Sequence, residues 1–298
     1  MDWLTRMNAA LAYIESNLTG EIDPDALAKL ACCSSHNFYR VFSFITDVSL
    51  AEYIRRRKLT LAALELQNSD IKVVDLAVKY GYDSPVSFSR AFQHLHGLTP
   101  SEARTGGATL KAYPKMTFQI SIKGANEMNY RIETKEAFQM FGIEEIHKDE
   151  ALAKHTDLDG IQMVDMDIED DAYEKLKAAA GDLPAFVNKD MNKIHALFGH
   201  RQTEEGTFPT MTCAFRSPTS NTAGYTIADI PAHSWAIFPS EKHEDKDLDE
   251  VTARLYKRIH SEWMPTANYE FVSDLELEVF GGEGADNFVE VWLPVKKK

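Results

Sequence analysis

The sequence predicts a multidomain chain: an all-α domain with two helix-turn-helix units in tandem, then an α+β domain with a duplicated strand order. Three observations carry this. The N-terminal third repeats itself: Leu27 and Ala28 return as Leu76 and Ala77 after 49 residues, and Phe38, Arg40 and Phe42 return as Phe88, Arg90 and Phe92 after 50. Asp47 and Ser49 are matched by Gly97 and Thr99 at the same offset of 50. A fixed period marks one supersecondary unit used twice. Beyond residues 105–114, TGGATLKAYP, the apolar period changes from helical to alternating, and the glycines and proline there break both patterns. The charge is also uneven. The net charge is −14, yet residues 1–107 hold 11 Lys and Arg against 12 Asp and Glu, which leaves 21 against 34 for the rest.

The chain of 298 residues has room for two or three domains, and 44% hydrophobic residues supply ordinary cores. The expected divisions are 1–107, a linker with a leading strand at 108–125, and 126–298. The acidic C-terminal part repels nucleic acid and suits a cationic or neutral partner. In the near-neutral N-terminal part, Arg55, Arg56, Arg57 and Lys58 cluster locally, as phosphate binding requires. Cys32, Cys33 and Cys213 offer neither zinc-ligand spacing nor a disulfide framework, and read as small buried or half-buried residues. His94 and His96 lie two apart and His195 and His200 five apart, so both pairs miss metal-ligand spacing. No cofactor is expected. The sequence shows no signal peptide and no apolar run of about 18 residues, so a cytoplasmic protein without a membrane partner is expected.

In chain order, Leu4, Met7, Leu11, Ile14 and Leu18 mark an amphipathic helix that ends at Gly20. Asp23-Pro24 opens a second helix with core residues Leu27, Leu30 and Ala31. A turn at Cys32–Cys33 leads through Ser34-Ser35 to a third helix, reaching about Phe44 and burying Phe38, Val41 and Phe42. A long helix over 49–67 turns Leu50, Tyr53, Ile54, Leu61 and Leu64 inward. In the second unit Leu76 and Ala77 face inward, Gly81 ends the first helix, Ser84 caps the next, and Phe88 and Phe92 share its inner face.

The second helix of such a unit enters a DNA major groove. The candidate contacts are His36, Asn37, Tyr39 and Arg40 on one helix, and Pro85, Val86, Ser87, Ser89 and Arg90 on the other. The connecting helix, roughly 27 Å long, suits major-groove segments about 34 Å apart on one face of double-stranded DNA. Pro85 and Val86 have no hydrogen-bonding side chains, which points to phosphate holding or thymine-methyl contact by the second helix.

The C-terminal part reads as a strand at 117–122, a strand pair at 130–135 and 138–146, and an acidic loop with some helix at 149–171. Helices follow at 171–180 and 184–198, the latter with Phe186, Met191, Ile194, Leu197 and Phe198 apolar. Strands are expected at 209–216, 224–230, 233–239, 274–280 and 287–293. A helix at 246–263 carries Leu248, Val251, Leu255 and Ile259 inward. The last strand places Phe288, Glu290 and Trp292 on one face. An unpaired carboxylate buried there costs several kcal/mol. An acidic pocket walled by aromatics draws organic cations through charge and cation–π contact. Glu278, with Glu276 beside it on the preceding strand, is an equal candidate, and the sequence does not choose between Glu278 and Glu290. Trp235, Phe238, Trp263 and Phe280 are candidate walls.

Several motifs resemble known families. Phe-Tyr-Arg-Val-Phe at 38–42, Glu-Tyr-Ile-Arg at 52–55, Ala-Val-Lys-Tyr-Gly-Tyr-Asp-Ser at 77–84, Phe-Ser-Arg-Ala-Phe at 88–92 and Gly-Leu-Thr-Pro at 97–100 resemble the DNA-binding domain of AraC/XylS transcription factors. The resemblance implies base reading through His36, Tyr39 and Arg40, and through Pro85, Val86, Ser87, Ser89 and Arg90. Asp47 departs from the family's usual glycine, but Asp tolerates the left-handed conformation.

Residues 126–296 resemble the GyrI-like (SHS2-type) effector-binding domain. The motifs are Tyr225-Thr226-Ile227, Ile230-Pro231-Ala232, Trp235-Ala236-Ile237-Phe238, Leu277-Glu278-Val279-Phe280 and Glu290-Val291-Trp292-Leu293-Pro294-Val295. The combination is similar to Rob-like regulators. It implies a sequence-specific transcriptional regulator, with a small hydrophobic or cationic effector held by aromatics and a buried glutamate, and with RNA polymerase as a further partner. Two alternatives stand beside it. One is a GyrI-like hydrolase of electrophilic small molecules with Glu278 or Glu290 as general base, which no nucleophile–base pair or metal motif supports. The other is a protein-sequestering module fused to a DNA-binding domain.

Overall fold

The computed structural model describes residues 3–105, 108–119, 127–148, 168–204 and 207–298. The N-terminal domain is built from α1 (Trp3–Ser16), α2 (Pro24–Ala31), α3 (Ser35–Thr46), α4 (Leu50–Asn68), α5 (Val73–Lys79), α6 (Pro85–His96) and α7 (Pro100–Ala103). The 50-residue repeat is written into the backbone at the helix ends. Ser34 and Ser84 cap α3 and α6, each accepting from the amide three residues on. Asp47 closes α3 at φ 57° where Gly97 closes α6 at φ 80°. Asp thus takes the glycine's left-handed conformation, as its tolerance for that region allows. The turns correspond as well: Cys33 N–H donates to Ala28 O and Tyr82 N–H to Ala77 O. Cys32 stands at φ 56°, matching Gly81 at φ 75°. It is exposed rather than buried or half-buried, whereas Cys33 is half-buried and Cys213 buried.

Helices α1–α3 and the start of α4 enclose Met7, Leu11, Leu27, Phe38, Phe42 and Tyr53. The rest of α4 packs with α5–α7 around Leu59, Leu66, Leu76, Tyr80, Phe88 and Phe92. The two cores lie on different sides of α4, so its buried stripe rotates along its length. This corrects the single inward face expected from sequence: Leu64 is 49% exposed, and Ile54 and Leu61 are half-buried. Arg57 also points inward, bound to Glu15 at 2.8 Å and donating to Tyr113 O. Arg55 and Arg56 both pair with Glu52. The basic run at 55–58 is therefore largely matched by carboxylates within the domain and is not a free phosphate cluster. Residues 117–119 form no strand; Phe118 N–H donates to the Asn8 side chain instead. The remainder of that expected strand, and most of the acidic stretch 149–171, lie outside the described residues.

The C-terminal domain carries one antiparallel sheet. Its strands are β1 (Arg131–Lys135), β2 (Phe138–Lys148), β3 (His195–Phe198), β4 (Thr207–Phe215), β5 (Thr226–Ile230), β6 (His233–Pro239), β7 (Tyr269–Phe271), β8 (Glu276–Gly281) and β9 (Phe288–Lys297). Among the described residues two α-helices join it: α8 (Asp170–Ala179), and α9 (Leu248–Arg258), which continues as a π-helical turn, Ile259–Trp263. The order is β1-β6-β9-β8-β3-β4-β2-β5, with β7 added on β9. Two expectations are corrected here. β1 and β2 do not pair with each other: β1 joins β6, whereas β2 joins β4 and β5. Residues 184–194 are not helical, and His195–Phe198 is a strand fully buried between β4 and β8. A short apolar run buried on both faces has no alternation that would separate strand from helix.

Directly opposed residues of antiparallel strands share a face. Phe141 opposes Ala214 on one side of the sheet, and the row Thr212, Ala196, Glu278, Val291, Phe238 crosses that same side. α9 packs here on Ala236, Phe238, Val291 and Leu293, and α8 on Phe141 and Ala214. The opposite side buries Leu197, Met211, Trp235, Leu277 and Trp292 beneath the loop that carries Val187 and Met191. The two helices cover the ends of the first face and leave its middle strands as a cleft.

Candidate functional site

Alternation along β8 brings Glu276 and Glu278 to the cleft face and turns Leu277 and Val279 to the opposite, core-facing side. Both carboxylates are about 3% exposed. Tyr256, one turn beyond Thr252 on the inner side of α9, reaches over them. Its hydroxyl lies 2.9 Å from Glu278 Oε1 and 3.1 Å from Glu276 Oε2. Burial pushes the Glu278 carboxyl up to about 7, against the opposing pull of Arg40 and the Tyr256 hydrogen bond. Burial and the two carboxylates likewise hold the Tyr256 phenol well above its ordinary value. Phe198 of β3, in register with Glu276 and Thr210, and Phe208 of β4, opposite His147, complete the floor.

The cleft is filled by α3. Arg40 Nη1 donates to Glu276 Oε2 at 2.7 Å. Its guanidinium lies over Phe198 at 4.9 Å, Tyr256 at 5.2 Å and Phe44 at 5.6 Å. Burial works against the charge on Arg40, and attraction to Glu276, Tyr256 and Glu278 overrides it, so the pKa rises. Phe44 stacks on Tyr256 with centroids 4.8 Å apart, and His36 lies flat on Phe208 at 3.3 Å. Burial, then Arg40 and His147, hold the His36 imidazole well below its ordinary value. At the start of the helix, the Asp274 carboxylate accepts from Ser34 N–H and from Asn37 Nδ2 at 3.0 Å each. At its end, Asp47 pairs with Lys257.

The sequence-derived DNA contacts are therefore split. His36, Asn37 and Arg40 are buried against the C-terminal domain, at 7–9% exposure, and Tyr39 is half-buried. On α6, Pro85, Val86, Ser87 and Arg90 are exposed and Ser89 is half-buried.

The seven sequence-derived effector residues are also split. Glu278 lies in the cleft, and Phe280 shares its face. Phe238 and Trp263 belong to the core under α9, their rings 4.9 Å apart. Glu290, Trp235 and Trp292 lie on the opposite side of the sheet. There Arg131 grips Glu290 with both Nη atoms at 2.7 and 2.8 Å, and Trp292 Nε1 donates to it at 2.9 Å. Sequence reasoning missed Tyr256, Phe198, Phe208 and Asp274. Tyr256 follows Thr252 and Leu255 at helical spacing and was within reach of the same pattern that found Leu255. The apolar run at 184–198 places Phe198 on a helix, which hides its position beside Glu276.

Residues 27–106 match the profile of a helix-turn-helix domain, and residues 131–295 that of an integron-associated effector-binding protein. The HTH-type transcriptional activator AarP of Providencia stuartii is 41% identical over 91 residues, 30% of this chain and 67% of AarP. The regulatory protein SoxS of Escherichia coli (strain K12) is 35% identical over 94 residues, 32% of this chain and 88% of SoxS. An integron cassette protein from the mobile metagenome of Vibrio cholerae is 11% identical, with a TM-score of 0.35, covering 56% of this chain and 95% of its own. The chain belongs to the integron-associated effector-binding proteins, and it joins that domain to the DNA-binding domain of AraC-family transcriptional regulators.

Proposed function

We propose that the protein is a sequence-specific regulator that reads double-stranded DNA with α3 and α6 and takes a hydrophobic cation into the cleft of Glu276, Glu278 and Tyr256. One observation carries the ligand class: the cleft holds two buried carboxylates beside aromatic rings, and a guanidinium already fills it. Buried carboxylates are costly unless a positive charge meets them, and the ring faces add cation–π attraction. Glu278 is the better candidate than Glu290, whose oxygens are taken up by Arg131 and Trp292. RNA polymerase is a further partner that the activator role of a relative such as AarP supports. The duplicated module is supported by the strand order: exchanging β1 with β5, β2 with β6, β3 with β8 and β4 with β9 reproduces it from the opposite edge.

Two experiments on the full chain test this reading. Calorimetric titration should show binding of tetraphenylphosphonium and none of its anionic analogue tetraphenylborate. Glu278→Gln should weaken the cation by about tenfold, the order of one charge-assisted contact, and Glu290→Gln should leave it unchanged. Equal losses in the two variants would mean that the cleft carboxylate is not what recognises charge. Selection from a random duplex library should enrich one motif, and no enrichment would end the claim of sequence reading.

A further inference from the structure

The effector cleft and the first DNA-reading helix occupy each other. We infer that α3 is an internal competitor of the effector, and that its release opens the cleft to a cation and the reading surface to DNA in the same step. The inference rests on the ligand reading proposed above. Arg40 provides what a cationic ligand would provide: a delocalised charge at 2.7 Å from Glu276, lying over the rings of Phe198 and Tyr256. His36 and Phe44 supply the flanking ring surface by stacking on Phe208 and Tyr256. The same helix face cannot meet a major groove while His36, Asn37 and Arg40 are 7–9% exposed. α6 carries no such cover, since Pro85, Val86, Ser87 and Arg90 are exposed. The docked protein thus presents one reader and withholds the other.

A ligand shifts such an equilibrium only through different affinities for its two states, and the coupling is reciprocal. A cation that enters the cleft requires α3 to be out, and so does DNA bound through α3. Each then raises the affinity for the other, and the effector acts as an inducer of DNA binding. The ligand this selects is an organic cation with enough flat apolar surface to replace Arg40 together with its neighbouring rings.

Asp274 and Lys257 allow a test because they hold the two ends of α3 and leave Glu276, Glu278 and Tyr256 of the cleft unaltered. Asp274 holds the start of α3 through Ser34 N–H and Asn37, and Lys257 holds its end through Asp47. The full chain and its Asp274→Ala variant are compared by anisotropy with a pool of random-sequence duplexes, by titration with tetraphenylphosphonium, and by hydrogen exchange. The variant should bind both the duplex pool and the cation about tenfold more tightly, the order expected for loss of charge-assisted hydrogen bonds. Exchange should quicken in residues 35–46 and stay unchanged in 85–96. Saturating tetraphenylphosphonium should raise DNA affinity of the unmodified chain and quicken the same segment. Lys257→Glu should act in the same direction and serves as the second variant if Asp274→Ala does not fold. Unchanged DNA affinity and unchanged exchange of 35–46 in the variants would overturn the inference. So would cation binding that leaves 35–46 protected, although the ligand reading would then survive. Release by the variants with no cation binding in any of them would support α3 as a cover and would sink the cationic effector.

Discussion

Arg40 and Glu276 are 236 positions apart in the chain and meet in a buried ion pair at 2.7 Å. Removing one partner leaves the other charge buried and uncompensated, at about 3–5 kcal/mol, whereas an apolar pair of similar volume is tolerated. Arg40→Met and Glu276→Met should each lower the urea midpoint of the full chain, and the double variant should recover much of the loss. A double variant that merely adds the two losses would show that the groups act independently.

Gly199 follows β3 in a left-handed conformation, at φ 60°, and a Cβ there would collide with the backbone carbonyl of Asp274. Gly199→Ala should therefore cost roughly 1–3 kcal/mol from strain. It should also shift Asp274 away from Ser34 and Asn37. Faster hydrogen exchange in residues 35–46, beyond that of the rest of the chain, is the expected signature.

Arg90 occupies on α6 the repeat position of Arg40 but stands exposed. Arg90→Ala should weaken a selected DNA site by roughly 1–3 kcal/mol, as expected for loss of a base-reading arginine. Tetraphenylphosphonium affinity and thermal midpoint should not move. Unchanged DNA affinity would remove Arg90 from the reading surface.

His195 is fully buried in β3, and burial lowers its pKa from 6.5 to about 3. Between those values the unfolded chain binds the proton and the folded chain does not. Stability from this residue is complete above pH 6.5 and falls as the pH drops towards 3. His195→Asn should remove about 1.4 kcal/mol per pH unit from the slope in this window. Urea unfolding at pH 7 and pH 5 measures it. His260, also lowered to about 3 by burial, adds a second slope of the same sign in both proteins. Glu278, raised to about 7, adds one of opposite sign between pH 7 and 4.5. The difference between variant and parent isolates His195. An equal slope in both would mean that the imidazole charges without penalty.

The parts of the fold that were legible were local. Caps and turns at Ser34, Ser84, Asp47 and Gly97 announce themselves because the residue that makes the turn also determines its geometry. The pairing of β1 with β6 was not legible, because a partner more than 90 residues away leaves no mark on a short strand. The stripe of α4 misled because it serves two cores in succession. In the site, alternation placed Glu276 and Glu278 on one face, but it could not say which side of the sheet the helices would leave open, so Glu290 stood equal to Glu278. The docking of α3 was hidden for a chemical reason. His36, Asn37 and Arg40 are suited to phosphates and bases, and the same donors and rings are equally suited to an acidic, aromatic cleft.

The strand order also determines when α3 can be covered. β9 lies inside the sheet between β6 and β8 and ends at Lys297, and each half of the domain has its edge strand paired to the other half. The cleft cannot exist until the last strand has left the ribosome, whereas α1–α7 emerge first and contain their own cores. At about 5–20 residues per second, roughly 12 to 46 seconds separate α3 from the strand that carries Glu276. If α3 reads DNA as proposed, every newly made copy passes through an interval in which that helix is formed and its cover is not, and the rate of synthesis becomes an input to regulation.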